Sequence, residues 1–238
     1  MSAPASPDAD LLPASDRSLR VSFGAAIDPA ASHRVLRFLR RLDAARIDGI
    51  VDASPAYASV LIRLDPVRLD HAAAAAHIRH LLADLDDEPL PQQRLETIPA
   101  RYGGADGPDL DDLARGAGLS TAEVVRLHSS TLYTVHFLGF TPGFAYMGTV
   151  PAAIAAARLG NPRRSVPAGS VGIAGTQTGV YPCATPGGWR LIARTELRLF
   201  DPERRPMSLL GIGDQVRFVP AGGPPRESPH PLTRTHSW

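Results

Sequence analysis

The sequence predicts an α+β protein with two parts: a small ferredoxin-like α+β domain followed by a closed β-barrel. Two observations support this prediction. Residues 18–102 show strand and helix patterns in the order β-α-β-β-α-β, which is the split βαβ arrangement. The second half instead contains many short apolar segments separated by glycine and proline, which is typical of barrels.

In the first half, capping aspartates followed by proline mark the helix starts. Asp28-Pro29 and Asp65-Pro66 each place an N-cap residue before a proline at the first helical position. The apolar spacing predicts one helix to residue 45 and a second over residues 72–85. The predicted strands cover residues 18–23, 47–53, 59–64 and 94–102.

Composition marks the boundaries of the two domains. Residues 1–16 are rich in Ala, Pro, Ser and Asp, which predicts disorder, and residues 222–238 predict a mobile tail rich in Pro and Arg. The Tyr102-Gly103-Gly104 break and the acidic residues 106–112 separate an α+β domain over 17–101 from a barrel domain over 102–221.

The barrel domain begins with two short helices. Residues 109–114 predict the first, and Ser120 with Glu123 forms a capping box for a second that ends near His128. Pro142-Gly143 suits a type II turn. Strands are predicted at 132–138, 171–174, 178–181, 190–195, 197–200 and 215–219.

Composition and charge exclude several classes of function. The chain has 238 residues, a net charge of +1 and 44% hydrophobic residues, which fits a globular protein and not a general nucleic-acid binder. A single cysteine, Cys183, excludes an intramolecular disulfide framework and a cysteine-based zinc site. With neither a long apolar run nor a signal peptide, the expected location is cytoplasmic, without a membrane partner.

The chain contains no lysine, so all 25 Lys and Arg residues are arginine. A Walker-type ATPase needs its P-loop lysine, and Schiff bases, covalent pyridoxal phosphate and attached biotin need a lysine as well. We therefore expect no covalent cofactor. No metal is expected either, because His71, His77 and His80 on the second helix lack a clearly placed further ligand.

A glycine-rich segment, residues 165–189, dominates the second half. Its glycines fit either turns and bulges between barrel strands or a backbone cradle for a ligand. No Asp or Glu occurs between Glu123 and Glu196, a stretch that contains Arg126, Arg158, Arg163, Arg164, Arg190 and Arg194. This pattern predicts a site for a carboxylate or phosphate, unless the arginines pair with acids elsewhere in the chain.

Few side chains in this half are suited to proton transfer. His128, at the end of a helix, is a candidate general acid or base, and a structural histidine at a helix C-terminus is the alternative. His136 alternates with its strand neighbours and is predicted to face the core. A catalytic role is disfavoured for Cys183, which has no paired base, and for Ser129 and Ser130, which lack a nucleophile elbow.

Several long segments resemble one family, that of the 5-oxoprolinase B subunits, also called KipI or allophanate hydrolase subunit 1. It is equivalent to the C and D part of the urea carboxylase carboxyltransferase domain. The resemblance covers roughly residues 18 to 220. It lies in HSSTLYTVHFLGFTPGFAYMG (128–148), NPRRSVPAGSVGIAGTQTGVYPCATPGGW (161–189), RTELRLFDP (194–202) and LLGIGDQVRF (209–218), and in the earlier segments GIVDASPAYASVLIRLDP (49–66) and IPARYGGADGPDLDDLA (98–114).

The resemblance implies a cyclophilin-like barrel and a complex with two partner chains, namely a homologous C subunit and an A subunit. It further implies ATP-dependent opening of 5-oxo-L-proline to L-glutamate, with ATP and magnesium shared with the partner subunits. Two alternatives stay open, namely a carboxyltransferase component of a urea or amide carboxylase and a KipI-like inhibitor of a histidine kinase. A prolyl isomerase is a weaker possibility, since barrel shape alone does not confer activity.

The resemblance also implies the site. His128 and Arg163 are the expected catalytic residues, with Arg163 and the amides of residues 169–172 holding an anion. The expected substrate-binding residues are Phe140, Pro142, Gly143, Phe144, Pro167, Gly169, Ser170, Gly172, Gln177, Thr178, Tyr181, Gly187 and Trp189. The chain departs from the family pattern at Ala145, Met147, Ala157, Ala193 and Glu196, which affects the expected substrate more than the fold.

Overall fold

The first unit is built on a four-stranded antiparallel sheet. A computed structural model of the protein describes residues 9–25, 28–90 and 92–222. The sheet has the order β1-β2-β4-β3. Its strands are β1 (Asp10–Ser15), β2 (Ser18–Ser22), β3 (Ile50–Pro55) and β4 (Ser59–Leu64), with helices α1 (Pro29–Ala45) and α2 (His71–Leu82) and a 3-10 turn at Leu85–Asp87.

The first helix starts where the sequence predicts and the second starts later. Asp28 caps α1 by accepting a hydrogen bond from the Ala31 amide at 3.0 Å. Helix α2 is capped by Asp70, which accepts from the Ala73 amide at 2.8 Å. Asp65 instead accepts from the Val67 amide at 3.1 Å in a turn that precedes the helix. The predicted start at Asp65-Pro66 is therefore wrong.

The sheet confirms the ferredoxin-like class but fills its last position with a different strand. In the expected arrangement, the strand at 94–102 would pair with β2 at the sheet edge. That position is occupied by β1, which pairs antiparallel with β2. Residues 10–15, predicted to be disordered, are thus a sheet strand, while residues 1–8 lie outside the described residues.

The second unit is a closed barrel, as predicted. The barrel order is β10-β7-β6-β13-β5-β12-β9, beside a two-stranded sheet of β8 and β11. The strands are β5 (Leu95–Tyr102), β6 (Leu132–Leu138), β7 (Ala145–Gly148), β8 (Arg163–Val166), β9 (Ser170–Ala174), β10 (Gln177–Val180), β11 (Thr185–Gly187), β12 (Arg190–Arg194) and β13 (Gln215–Pro220). The helices are α3 (Leu110–Ala117) and α4 (Thr121–Ser130), with a 3-10 turn at Ala152–Ile154.

The boundary between the units lies earlier than the sequence predicts. Strand β5 pairs in parallel with β13 and antiparallel with β12, so it belongs to the barrel. The first unit comprises residues up to Arg94 together with His136–Leu138. The strand expected at 197–200 is reduced to a single bridge between Phe200 and Ser208. The tail predicted for 222–238 lies outside the described residues except for Gly222.

Two local predictions in the barrel domain are confirmed. The Ser120 hydroxyl accepts from the Glu123 amide at 3.2 Å, and the Glu123 carboxylate accepts from the Ser120 amide at 2.8 Å, which completes the capping box. Gly143 has φ 84, and the Phe144 amide donates to the Thr141 carbonyl at 3.0 Å. Proline and glycine at the two central positions therefore form the type II turn.

A chain of hydrogen bonds crosses the barrel interior through His128. The Thr178 hydroxyl donates to the Gly172 carbonyl at 3.0 Å, so its oxygen accepts from His128 Nε2 at 2.9 Å. His128 Nδ1 is then the acceptor for the Tyr102 hydroxyl at 2.7 Å. The imidazole is fully buried, and burial lowers its pKa to about 3. A neutral histidine therefore links α4 to β5, β10 and β9.

We predict that His128 makes the stability of the protein depend on pH. The unfolded chain binds a proton below about pH 6.5, while the folded histidine stays neutral, so stability is lost as pH falls. Between about pH 7.5 and pH 5 this contribution lowers the free energy of unfolding by about 2 kcal/mol. In His128→Gln that contribution should disappear, although the lost hydrogen bonding destabilises the variant by about 1 to 3 kcal/mol at neutral pH.

Urea unfolding at both pH values measures the difference between the wild-type chain and the variant. His77→Gln is the matched control, because His77 lies exposed on α2. It should keep the wild-type dependence on pH. An unchanged pH dependence in His128→Gln would contradict the prediction.

Candidate functional site

An exposed phenylalanine stands on a strained turn between β6 and β7. The Thr141 amide donates to the Gly139 carbonyl at 2.8 Å around Phe140, whose φ is 67. This geometry is a γ-turn of the rare positive-φ kind, which a bulky residue adopts only at a cost. The Phe140 side chain is 60% exposed. Strained backbone that presents a large apolar side chain to solvent is typical of functional sites.

Three buried aromatic rings lie beneath Phe140. Phe144 is 5.6 Å and Tyr181 is 6.4 Å from the Phe140 ring, both in edge-to-face contact. Trp189 packs edge-on against Phe144 at 5.4 Å. Such contacts add to burial and fix the ring orientations. The three rings therefore form a rigid floor for the exposed side chain.

Tyr146 and Arg158 complete the rim of this surface. The Tyr146 ring is half-buried and lies 5.8 Å from the Trp189 ring. The Arg158 guanidinium carbon is 6.0 Å from the Trp189 ring centroid, within the range of a cation–π contact. Burial raises the pKa of Tyr146, and the positive charge of Arg158 opposes that rise.

We call this surface the aromatic face. It comprises Phe140, Tyr146 and Arg158 at the rim and Phe144, Tyr181 and Trp189 below. Flat rings next to an exposed guanidinium can hold a small planar group that bears a carboxylate or phosphate. Five of the six residues lie in the two segments that the sequence predicted for the site; Arg158 lies between these segments.

The glycines of residues 165–189 make room for the rings of the aromatic face. A β-carbon on Gly187 would lie 2.5 Å from the Tyr181 hydroxyl oxygen. On Gly179 it would lie 3.0 Å from Phe144 and 3.2 Å from Trp189. A side chain at Gly187 would therefore displace the buried Tyr181 ring, and one at Gly179 would push the neighbouring rings apart by a few tenths of an ångström. Of the two interpretations, shaped backbone is supported over a ligand cradle.

Backbone amides at the start of β9 are already engaged. The Gly169 amide donates to the Tyr181 carbonyl at 2.7 Å, and the Ser170 amide donates to the Pro167 carbonyl at 3.3 Å. Gly172 lies inside β9, between β10 and β12. The expected anion nest over residues 169–172 is thus replaced by ordinary turn and sheet bonding.

Arg163 also has a partner within the fold. Its Nη2 lies 2.7 Å from the Asp109 Oδ1, and the other oxygen of that carboxylate accepts from the Leu191 amide at 2.7 Å. Asp109 is only 5% exposed. The carboxylate that pairs with Arg163 thus comes from the start of α3, outside the stretch that contains no Asp or Glu. The structure corrects the prediction that the charge of Arg163 is available to an anion.

The other expected residues are dispersed. His128 is fully buried with both nitrogens engaged, so its geometry supports a structural role and gives no support to proton transfer with a substrate. Ser170 and Thr178 are buried in the barrel and Gln177 is half-buried, whereas Pro142 and Pro167 are exposed in turns. Arg190 and Arg194 donate to backbone carbonyls at 3.4 and 3.0 Å.

Sequence reasoning missed two residues of the site and one that supports it. Tyr146 lies inside a recognised segment but was not singled out. Arg158 was counted among the arginines of the acid-free stretch, yet no local pattern places it against Trp189. Asp109 was noted only at the start of a helix. Each acts through a contact between residues distant in sequence, which local patterns do not encode.

Within residues 9–25, 28–90 and 92–222, no cluster of three or more His, Cys, Asp or Glu side chains is arranged to hold a metal ion. His136 is buried, as predicted, and its Nδ1 lies 3.0 Å from the Ser32 hydroxyl. Cys183 is exposed, 3.3 Å from the Thr141 hydroxyl. No helix in the described part of the chain is both long and apolar enough to span a bilayer.

Comparison with known proteins identifies close relatives. A protein of Escherichia coli O157:H7, named as the B subunit of 5-oxoprolinase, is 46% identical over 80% of this chain and 86% of its own length. A protein of Bacillus subtilis (strain 168) with the same name is 37% identical over 86% of this chain and 89% of its own length.

Solved structures show the same fold. The protein TTHA0988 superposes with a TM-score of 0.77 at 39% identity over 91% of this chain, which spans 42% of that longer chain. The urea amidolyase of Kluyveromyces lactis gives a TM-score of 0.69 at 21% identity, over 92% of this chain and 15% of its own, and so shows the fold alone. A family model described as the carboxyltransferase domain, subdomain C and D, matches residues 9–210. The chain therefore belongs to the carboxyltransferase-domain subdomain C and D family.

Proposed function

We propose that the chain is the B subunit of an ATP-dependent 5-oxoprolinase. With a homologous C subunit and an A subunit, it would convert 5-oxo-L-proline to L-glutamate. The observation that supports this most is the identity of 46% to a protein named as the B subunit of 5-oxoprolinase, over most of both chains. The name of that relative implies further subunits, and here these are part of the proposal.

The aromatic face offers side chains suited to this substrate, namely aromatic rings and one exposed guanidinium. 5-Oxoproline is a flat five-membered lactam with one carboxylate. The ring would lie against Phe140 and Tyr146, and the carboxylate would pair with the guanidinium of Arg158, which is exposed beside Trp189. Since Arg163 is already neutralised by Asp109, Arg158 is the arginine on this face that is suited to the substrate.

The proposed reaction couples lactam opening to ATP. The lactam carbonyl oxygen attacks the γ-phosphorus, the bond to ADP breaks, and an O-phosphorylated lactam forms. Two waters are then consumed, one to cleave the C–N bond and one to take up the phosphoryl group. Glutamate, ADP and phosphate are the products. The B and C subunits would activate the lactam together, and the A subunit would complete ring opening.

ATP and magnesium would be shared with the partner subunits. This chain has no lysine to place on phosphates, and the two residues expected to be catalytic, His128 and Arg163, are engaged inside the fold. The chain's own contribution is then to bind and orient the lactam on the aromatic face. A partner would supply the groups that activate ATP and water.

Replacement of the E. coli relative tests the proposed function. An E. coli strain that lacks its own gene for the B subunit should grow on 5-oxoproline as its nitrogen source when it expresses this chain. Its extract should release glutamate only when ATP is added. Affinity purification of the chain shows whether it assembles with the host subunits. An assembled complex that forms no glutamate from 5-oxoproline and ATP would contradict the proposal.

We predict that Arg158→Gln raises the KM for 5-oxoproline about tenfold or more. The substitution removes the charge that pairs with the substrate carboxylate, an interaction worth about 1.5 to 3 kcal/mol. Steady-state kinetics of the assembled complex measure the change. Arg115→Gln is the matched control, since Arg115 is exposed on α3 and pairs only with Asp112 among the described residues. An unchanged KM in Arg158→Gln would show that the carboxylate binds elsewhere.

We also predict that Phe140→Ala lowers kcat/KM for 5-oxoproline about tenfold while leaving the folded chain intact. Because the Phe140 ring is mainly exposed, its loss removes substrate contact and little core packing. Thermal unfolding of the isolated chain checks the fold. Leu132→Ala, which removes another exposed apolar side chain, should retain activity. Equal losses of activity in the two variants would point to a general effect of surface truncation.

A further inference from the structure

A groove in the first unit lies between the end of α1 and strand β3. It is open to solvent and has a volume of about 470 Å³. The aliphatic side chains of Leu39, Leu42, Ile47 and Ile50 contribute to its lining, together with the charged side chains of Asp43, Arg46 and Asp52. Val51 stands at its border, 55% exposed, at a bulge in β3. We call this the β3 groove.

Strand β3 is an open edge of its sheet. Among the described residues it pairs with β4 alone. The Ala56 amide donates to the Ser59 carbonyl at 2.8 Å next to the hairpin turn. Because antiparallel pairs alternate, Ser54 exchanges bonds with β4, while Ala53 directs its N–H and C=O toward the open edge. The backbone of Pro55 faces the open edge as that of Ala53 does, but Pro55 has no N–H to donate.

Charged side chains at the β3 groove are available to a partner. In the part of the chain that the structure describes, Asp43 and Arg46 make no ion pair. Asp52 accepts a hydrogen bond from the Ser54 hydroxyl at 2.9 Å. Asp52 lies opposite Arg63 across the β3–β4 ladder, so Asp43 is the carboxylate at the groove that a partner can use. A basic side chain would complement it.

We propose that the β3 groove binds an extended segment of another protein chain, which adds a strand to β3. Unpaired backbone on an edge strand, beside a groove that can take up alternate side chains, is the arrangement used in β-augmentation. Apolar side chains of the segment fill the groove, and a Lys or Arg pairs with Asp43. A second copy of this chain fits poorly, because its own β3 carries Pro55, which has no N–H to donate, on the edge that would pair. The inference does not depend on the enzymatic activity proposed above.

The test pans a displayed library of random peptides of about nine residues against the full chain. Enriched peptides should alternate apolar and polar residues and contain Lys or Arg. Ala53→Pro, which removes the outward N–H without removing a β4 ladder bond, and Asp43→Lys should each weaken the enriched peptides about tenfold or more, measured by fluorescence anisotropy. Asp16→Lys, a charge reversal at an exposed turn of the same unit, should change affinity by less than about twofold.

Three outcomes would overturn the inference. The first is no enrichment over a library panned without protein. The second is enrichment of peptides whose binding neither Ala53→Pro nor Asp43→Lys alters. The third is self-association of the chain that Ala53→Pro abolishes, which would assign the edge to a second copy. Ser54→Pro, which removes a ladder donor, should lower the urea midpoint more than Ala53→Pro does. If Ala53→Pro fails to fold, the peptide affinities of Asp43→Lys and Asp16→Lys, compared with each other, test the proposal without it.

Discussion

The buried carboxylate of Asp109 is the constraint on which the second unit depends. One of its oxygens pairs with Arg163 on β8, and the other accepts the amide of Leu191 on β12. A buried charge is tolerated only with partners of this kind, and removal of one partner leaves the other uncompensated. Arg163 also reaches the Trp189 carbonyl at 3.5 Å. Asp109 thus sets the spacing of the strands that hold Trp189, and with it the floor of the aromatic face.

The glycine-rich segment and the aromatic face are two consequences of one packing problem. Phe144, Tyr181 and Trp189 pack between barrel strands and the β8–β11 sheet, where a β-carbon would overlap Tyr181 at Gly187 and would crowd Phe144 and Trp189 at Gly179. The family motifs therefore combine glycine with aromatic residues for steric reasons. The arginines around them serve different ends, since Arg163 stabilises the fold while Arg158 stays exposed over a ring. An acid-free run of arginines does not by itself indicate a single anion site.

Local patterns predicted the features that local chemistry determines. The capping box at Ser120 and the type II turn at Gly143 depend on residues within a few positions of one another, and both were predicted correctly. The partner of β5 could not be obtained in this way. Its segment alternates like any sheet strand, and whether it joins β2 or β13 depends on contacts more than a hundred residues away.

The same limit applies to the candidate site. Its segments were predicted from family motifs, but the division of their residues into buried and exposed was not. Nothing in the sequence marks His128 or Tyr102 as inaccessible to solvent. Both nevertheless lie inside the barrel, joined in one chain of hydrogen bonds. Phe140 differs from both, because its backbone is strained and its ring is exposed. Neither property stabilises the isolated chain, so both are explained best by contact with a ligand or another chain of the complex. That argument favours Phe140 over His128 as the residue through which this chain takes part in the reaction.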